Sequence, residues 1–100
     1  MITEGPGNKT YNMLFGTSQT FNCKATGVPK PKLTWYRNGA PVQNGDKISV
    51  NGDGTLQFTG VSKEETGVFK CLAENLATTV QSSATVKVYC KMFSILTFKR

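Results

Sequence analysis

Five segments of this chain alternate apolar and polar residues with a period of two, and that pattern excludes a helical fold. Phe21, Cys23 and Ala25 alternate with Asn22 and Lys24, and Leu33 and Trp35 with Lys32, Thr34 and Tyr36. Leu56 and Phe58, then Phe69, Cys71 and Ala73, then Ala84, Val86 and Val88 repeat the pattern. A strand shows successive side chains to opposite faces, so each segment has one apolar and one mostly polar face. That is the signature of antiparallel strands packed on one side. Turn-forming residues separate the segments: Gly27-Val28-Pro29-Lys30-Pro31, Asn38-Gly39, Asn44-Gly45-Asp46 and Asn51-Gly52-Asp53-Gly54. Lys63-Glu64-Glu65-Thr66 is long enough for one helical turn at most. Short strands with turns at this spacing predict an all-β sandwich or barrel. One hundred residues suffice for one such domain and not for two.

The cysteines favour the sandwich. Cys23 and Cys71 both fall on apolar faces, 48 positions apart, and Trp35 sits inward on the strand between them. A disulfide joining two face-to-face sheets, with an indole against it, meets this spacing, and the order Cys…Trp…Cys is the hallmark of the immunoglobulin sandwich. A loop of that length, closed by a disulfide, stabilises the fold by roughly 4 kcal/mol in the chain-entropy model. A reactive or metal-binding pair is the rival reading of these thiols, and a reducing compartment would leave them unpaired.

From residue 6 to residue 89 the chain resembles the intermediate-set (I-set) immunoglobulin domains. The resemblance rests on Gly16, Cys23, Gly27 to Pro31, Trp35-Tyr36-Arg37-Asn38-Gly39, Leu56, Glu65 to Cys71, and Ala73-Glu74-Asn75. It implies two antiparallel sheets with Greek-key topology, a Cys23–Cys71 disulfide, and a core around Trp35, Leu56 and Phe69. Residues 1–5 are then an N-terminal extension and residues 90–100 a C-terminal tail. The family pattern before the second cysteine is Asp-x-Gly-x-Tyr-x-Cys, whereas this chain has Glu65 and Phe69. Phe69 lacks the hydroxyl of the tyrosine corner, yet its ring suits the same apolar slot, and one hydrogen bond is worth only about 1 kcal/mol. Glu65 is expected to pair with Lys47. The family glycine after Asn75 is Thr78 here, so the loop over Leu76 to Thr79 is expected to turn differently.

Catalysis is not expected. The chain has no histidine, which removes the commonest general base and metal ligand together. No phosphate-binding glycine loop and no Cys-x-x-Cys pair is present. Glu64 and Glu65 are neighbours pointing different ways, and Asp46, Asn51 and Asp53 lack the dense oxygen spacing of a calcium loop. Neither a cofactor nor a metal is expected. The net charge of +6 falls to +3 without Lys91, Lys99 and Arg100, and the other basic residues are mostly spaced singly. Nucleic acid is therefore not an expected partner. No stretch approaches the ~20 apolar residues of a membrane span, so insertion by this segment is not expected either. Thr3 to Asn8 is polar where a secretory signal would be apolar, so Met1 is expected to be an artificial start or the chain a fragment of something longer.

The expected role is recognition. Inward-facing Trp35, Cys71 and Val86 put Tyr36, Lys70, Leu72, Lys87 and Tyr89 on the outer face of one sheet, an aromatic and basic candidate surface for a protein partner. Homophilic and heterophilic binding are both open, as is an ordinary solvated face. Asn8-Lys9-Thr10 fits the N-glycosylation pattern near the first strand. Cys90 continues the inward alternation of the last strand and is a candidate free or intermolecular thiol. The tail after it, Met92 to Phe98, is apolar and β-prone, so dimerisation through the tail or Cys90 is a further expectation. The resemblance implies a module of an extracellular receptor, adhesion or matrix protein. The alternatives are a cytosolic spacer in a muscle-type filament, or a heparan-type glycan-binding module.

Overall fold

Backbone pairing turns the alternating segments into two packed layers. The computed structural model describes residues 2–52 and 54–89. One layer is a five-stranded sheet in the order β2 (Lys9–Leu14), β10 (Thr79–Tyr89), β9 (Gly67–Glu74), β5 (Lys32–Arg37) and β6 (Ala40–Pro41). The other holds β3 (Gln19–Phe21), β8 (Leu56–Phe58) and β7 (Ile48–Val50), together with the pair β1 (Ile2–Glu4) and β4 (Lys24–Ala25). β3 and β4 are two stretches of one extended segment, interrupted at Asn22–Cys23. The chain thus passes from one layer to the other after β4, returns for β7 and β8, and crosses again into β9 and β10, as a Greek key requires.

The N-terminal residues take part in both layers. Residues 2–4, within the segment expected as an extension, form β1, pair antiparallel with β4, and Ile2 packs against the core. One apolar residue in three, Ile2, gives too little contrast to mark a strand, and the pairing uses backbone groups. The chain then changes layers through Gly5-Pro6-Gly7-Asn8 and continues as β2, which runs parallel to β10 with Thr10 opposite Thr85 and Leu14 opposite Tyr89. Among the described residues one ladder is therefore parallel, and the rest are antiparallel.

The core lies between the layers and follows the alternation. Cys23 and Cys71 form the inter-layer disulfide, with 6.5 Å between Cα atoms. Trp35, Leu56, Phe58, Val61, Phe69 and Val86 are all buried around it. Tyr11, Phe21, Phe58 and Phe69 form a run of edge-to-face ring pairs with centroids 4.8, 5.5 and 5.0 Å apart, within the favoured range for such pairs. Phe69, standing where the family has Tyr, is fully buried, and the Arg37 guanidinium lies 5.6 Å from its ring centre.

Asn38-Gly39 closes the β5–β6 hairpin, with Arg37 opposite Ala40. Both residues have positive φ (49° and 89°), the two-residue turn whose twist matches the flanking strands and which favours the Asn-Gly pair. Lys63–Glu65 is one turn of 3₁₀ helix. Its Glu65 does not take Lys47: the buried carboxylate accepts from the Ser62 N–H at 2.7 Å and from the Ser62 hydroxyl at 2.8 Å. Lys47 donates instead to the Gly60 carbonyl at 3.0 Å. A carboxylate three residues after a serine reaches the orphan N–H of the turn with less ordering than an ion pair across the surface.

Candidate partner surface

The strands place the surface residues through register. Trp35 pairs with Cys71 and both point inward, so their neighbours Tyr36 and Lys70, opposite one another, point to solvent. The Lys70 ammonium lies 5.7 Å from the centre of the Tyr36 ring. Both side chains are half-buried, so the ring holds the cation in place while leaving it accessible. Leu72, also half-buried, stands two residues further along β9 between Thr34 and Gln81. Tyr36, Lys70 and Leu72 therefore form one group.

Lys87 and Tyr89 share that outer face and stand elsewhere along it. Pairing of β9 with β10 ends at Gly67–Val86, so the partners of Lys87 and Tyr89 are Asn12 and Leu14 of β2. Ser83 is the β10 residue opposite Lys70, and four residues of strand from Ser83 to Lys87 is about 13 Å. Tyr89 belongs to a second group at the end of the sandwich. Leu14, Phe15 and Tyr89 are about half exposed there (52%, 54% and 47%), and the Phe15 N–H donates to the Tyr89 carbonyl at 2.7 Å. Leu14 and Phe15 escape a sequence reading because their β2 alternation is broken by that adjacent apolar pair. Lys87 lies between the groups and is exposed.

Asn8 is exposed at the start of β2, where its side-chain oxygen accepts from the Ser83 N–H at 2.9 Å and the Ser83 hydroxyl at 3.1 Å. Cys90 and the tail over residues 91–100 lie outside the described residues. An open cleft of about 360 Å³ between β5 and the β7–β8 turn is lined by Lys30, Lys32, Leu33, Val50 and Gly54. Among the described residues, no three His, Cys, Asp or Glu side chains converge as metal ligands.

A layered sandwich, an inter-layer disulfide and an indole beside it define an immunoglobulin-type domain. The chain belongs to the immunoglobulin I-set domain family, whose model matches residues 3–88. The family is non-catalytic. The vascular endothelial growth factor receptor kdr-like of Danio rerio is 39% identical over 69% of this chain and 5% of its own length. Contactin-2 of Homo sapiens is 36% identical over 73% of this chain and 7% of its own. The chain thus spans only a small part of the curated relatives it matches. Among solved structures, the titin M3 domain superposes with a TM-score of 0.74 at 26% identity, covering 88% of this chain and 94% of that one.

Proposed function

We propose that this domain is one extracellular module of a cell-surface receptor or adhesion protein and that it acts by binding protein through the outer face of the β5–β9–β10 sheet. The observation that carries this reading is the Tyr36–Lys70–Leu72 group: an aromatic ring, a cation held over it and an aliphatic side chain, all half-buried on a solvent face. Such amphipathic groups supply binding energy at low ordering cost, because the rigid strands already hold them. Lys87 and Tyr89 extend the surface towards the end of the sandwich. Similarity to a receptor and to a contactin, with the Cys23–Cys71 disulfide, supports an oxidising compartment.

The test is joint charge reversal of Lys70 and Lys87. Beads coated with the domain report homophilic binding, and multimers of the domain on cells report heterophilic binding. Loss of either signal in the folded double variant supports the surface. Unchanged signals in both assays overturn it.

The similarity to a titin domain favours a second reading, a spacer in an intracellular filament. Intact mass of the natural protein under non-reducing conditions separates the two. A Cys23–Cys71 bond supports the extracellular reading, and free thiols support the spacer.

A further inference from the structure

Asn8-Lys9-Thr10 is the only Asn-x-Ser/Thr sequence in the chain, and its middle residue is not proline. All three residues are exposed. Asn8 follows Gly7 in the layer-changing turn and has a φ of +56°, a left-handed conformation that asparagine tolerates better than most residues. That turn lifts the side chain onto the edge of the sheet. Its oxygen then takes the place of a strand acceptor, receiving the Ser83 N–H and hydroxyl. The amide nitrogen, the atom that carries a glycan, has no protein partner among the described residues. Among the described residues β2 is an edge strand, with no strand on its far side.

We infer that Asn8 is an N-glycosylation site whose glycan stands at the free edge of β2. The inference rests on the extracellular reading, since the modification belongs to the secretory pathway. The donor is a lipid-diphosphate-linked oligosaccharide. Asn8 Nδ2 forms a bond to the anomeric carbon, the carbon–oxygen bond to the diphosphate breaks, and Nδ2 gives up one proton. The product is still an amide, so Oδ1 keeps both bonds to Ser83. Across the sheet, Asn8, Ser83, Lys70 and Tyr36 form one row. Two strand spacings put Asn8 about 10 Å from Lys70. A partner engaging Lys70 therefore approaches from the β5 side, and strand addition at the β2 edge is blocked.

The test expresses the full chain behind a cleavable signal peptide in mammalian cells and measures intact mass before and after peptide N-glycosidase. The expected result is a mass above that of the polypeptide, removed by the enzyme with conversion of Asn8 to Asp. Thr10→Ala abolishes the excess while leaving Asn8 and its Ser83 bonds in place. Translation with endoplasmic-reticulum microsomes gives the same readout without requiring folding or export. A bare polypeptide mass in the wild-type product of both systems overturns the site. Failure of the extracellular reading is seen separately, as free Cys23 and Cys71 thiols in natural material.

Discussion

The Trp35 indole nitrogen donates a 2.9 Å hydrogen bond to the carbonyl of Gly54, and both residues are buried. The bond ties β5 in one layer to the β7–β8 turn in the other, beside the disulfide. A buried indole N–H without an acceptor is costly, so the turn must bring its carbonyl inward. Gly54 does this with a φ of +95°, and a Cβ there would lie 2.8 Å from the Cys23 carbonyl oxygen and 2.8 Å from Leu33 Cδ1.

Gly54→Ala is therefore expected to destabilise the domain by about 2 kcal/mol or more, from left-handed strain and overpacking together. Urea unfolding followed by Trp35 fluorescence measures it. A midpoint within error of wild type would contradict this account of the turn.

Ser82 is buried on the inward face of β10, where alternation calls for an apolar residue. It accepts the Gly7 N–H at 2.8 Å, the donor exposed as the chain changes layers. Ser82→Ala leaves that N–H without its acceptor and is expected to cost about 1–2 kcal/mol. Equal stability of the variant, by the same unfolding measurement, would show that water satisfies Gly7.

The architecture was legible where burial and period coincide. Trp35, Leu56, Phe69 and Cys71 announce inward faces because each is large or sulfur-bearing and flanked by polar neighbours. Ser82 and the first half of β10 were not legible, since Thr79 to Ser83 offers little apolar contrast between the faces. β1 escaped because three residues with one apolar member, Ile2, are too few to show a period. For the candidate surface, alternation gives the face of each residue and not its height along the strand. Lys70 and Lys87 therefore share a face while standing in different rows, which only the register reveals.

The correction at Glu65 separates two substitutions that an ion pair would make equivalent. Glu65→Ala removes the acceptor for both the N–H and the hydroxyl of Ser62 and is expected to cost about 1–2 kcal/mol. Lys47→Ala loses one exposed bond to Gly60 and should stay within about 0.5 kcal/mol of wild type. Thermal unfolding of both variants decides the matter, and equal losses would restore the ion pair.

Reduction of the Cys23–Cys71 bond is expected to lower stability by about 4 kcal/mol, the loop-closure contribution for residues 48 apart. Unfolding in urea with and without a reductant measures the difference, and Cys23→Ala/Cys71→Ala provides a control that cannot reoxidise. A loss below about 1 kcal/mol would mean that strain in the bridge or structure in the unfolded chain offsets the constraint.

Separate reversal of the two lysines resolves which part of the proposed surface carries binding. Lys70→Glu removes the cation from Tyr36 and places a carboxylate over the ring, in the middle of the Tyr36–Lys70–Leu72 group. Lys87→Glu changes an exposed residue about 13 Å along β10 from that row. Central, half-buried groups dominate interface energetics, whereas rim charges act mainly on association rate. Lys70→Glu is therefore expected to weaken partner or self-binding at least about tenfold, through faster dissociation, a loss of about 1.4 kcal/mol. Lys87→Glu should slow association by a few-fold and lose that effect as salt is raised. Surface plasmon resonance at two ionic strengths separates these outcomes. The reverse order of effects would move the centre of the surface to the Leu14–Phe15–Tyr89 end of the sandwich.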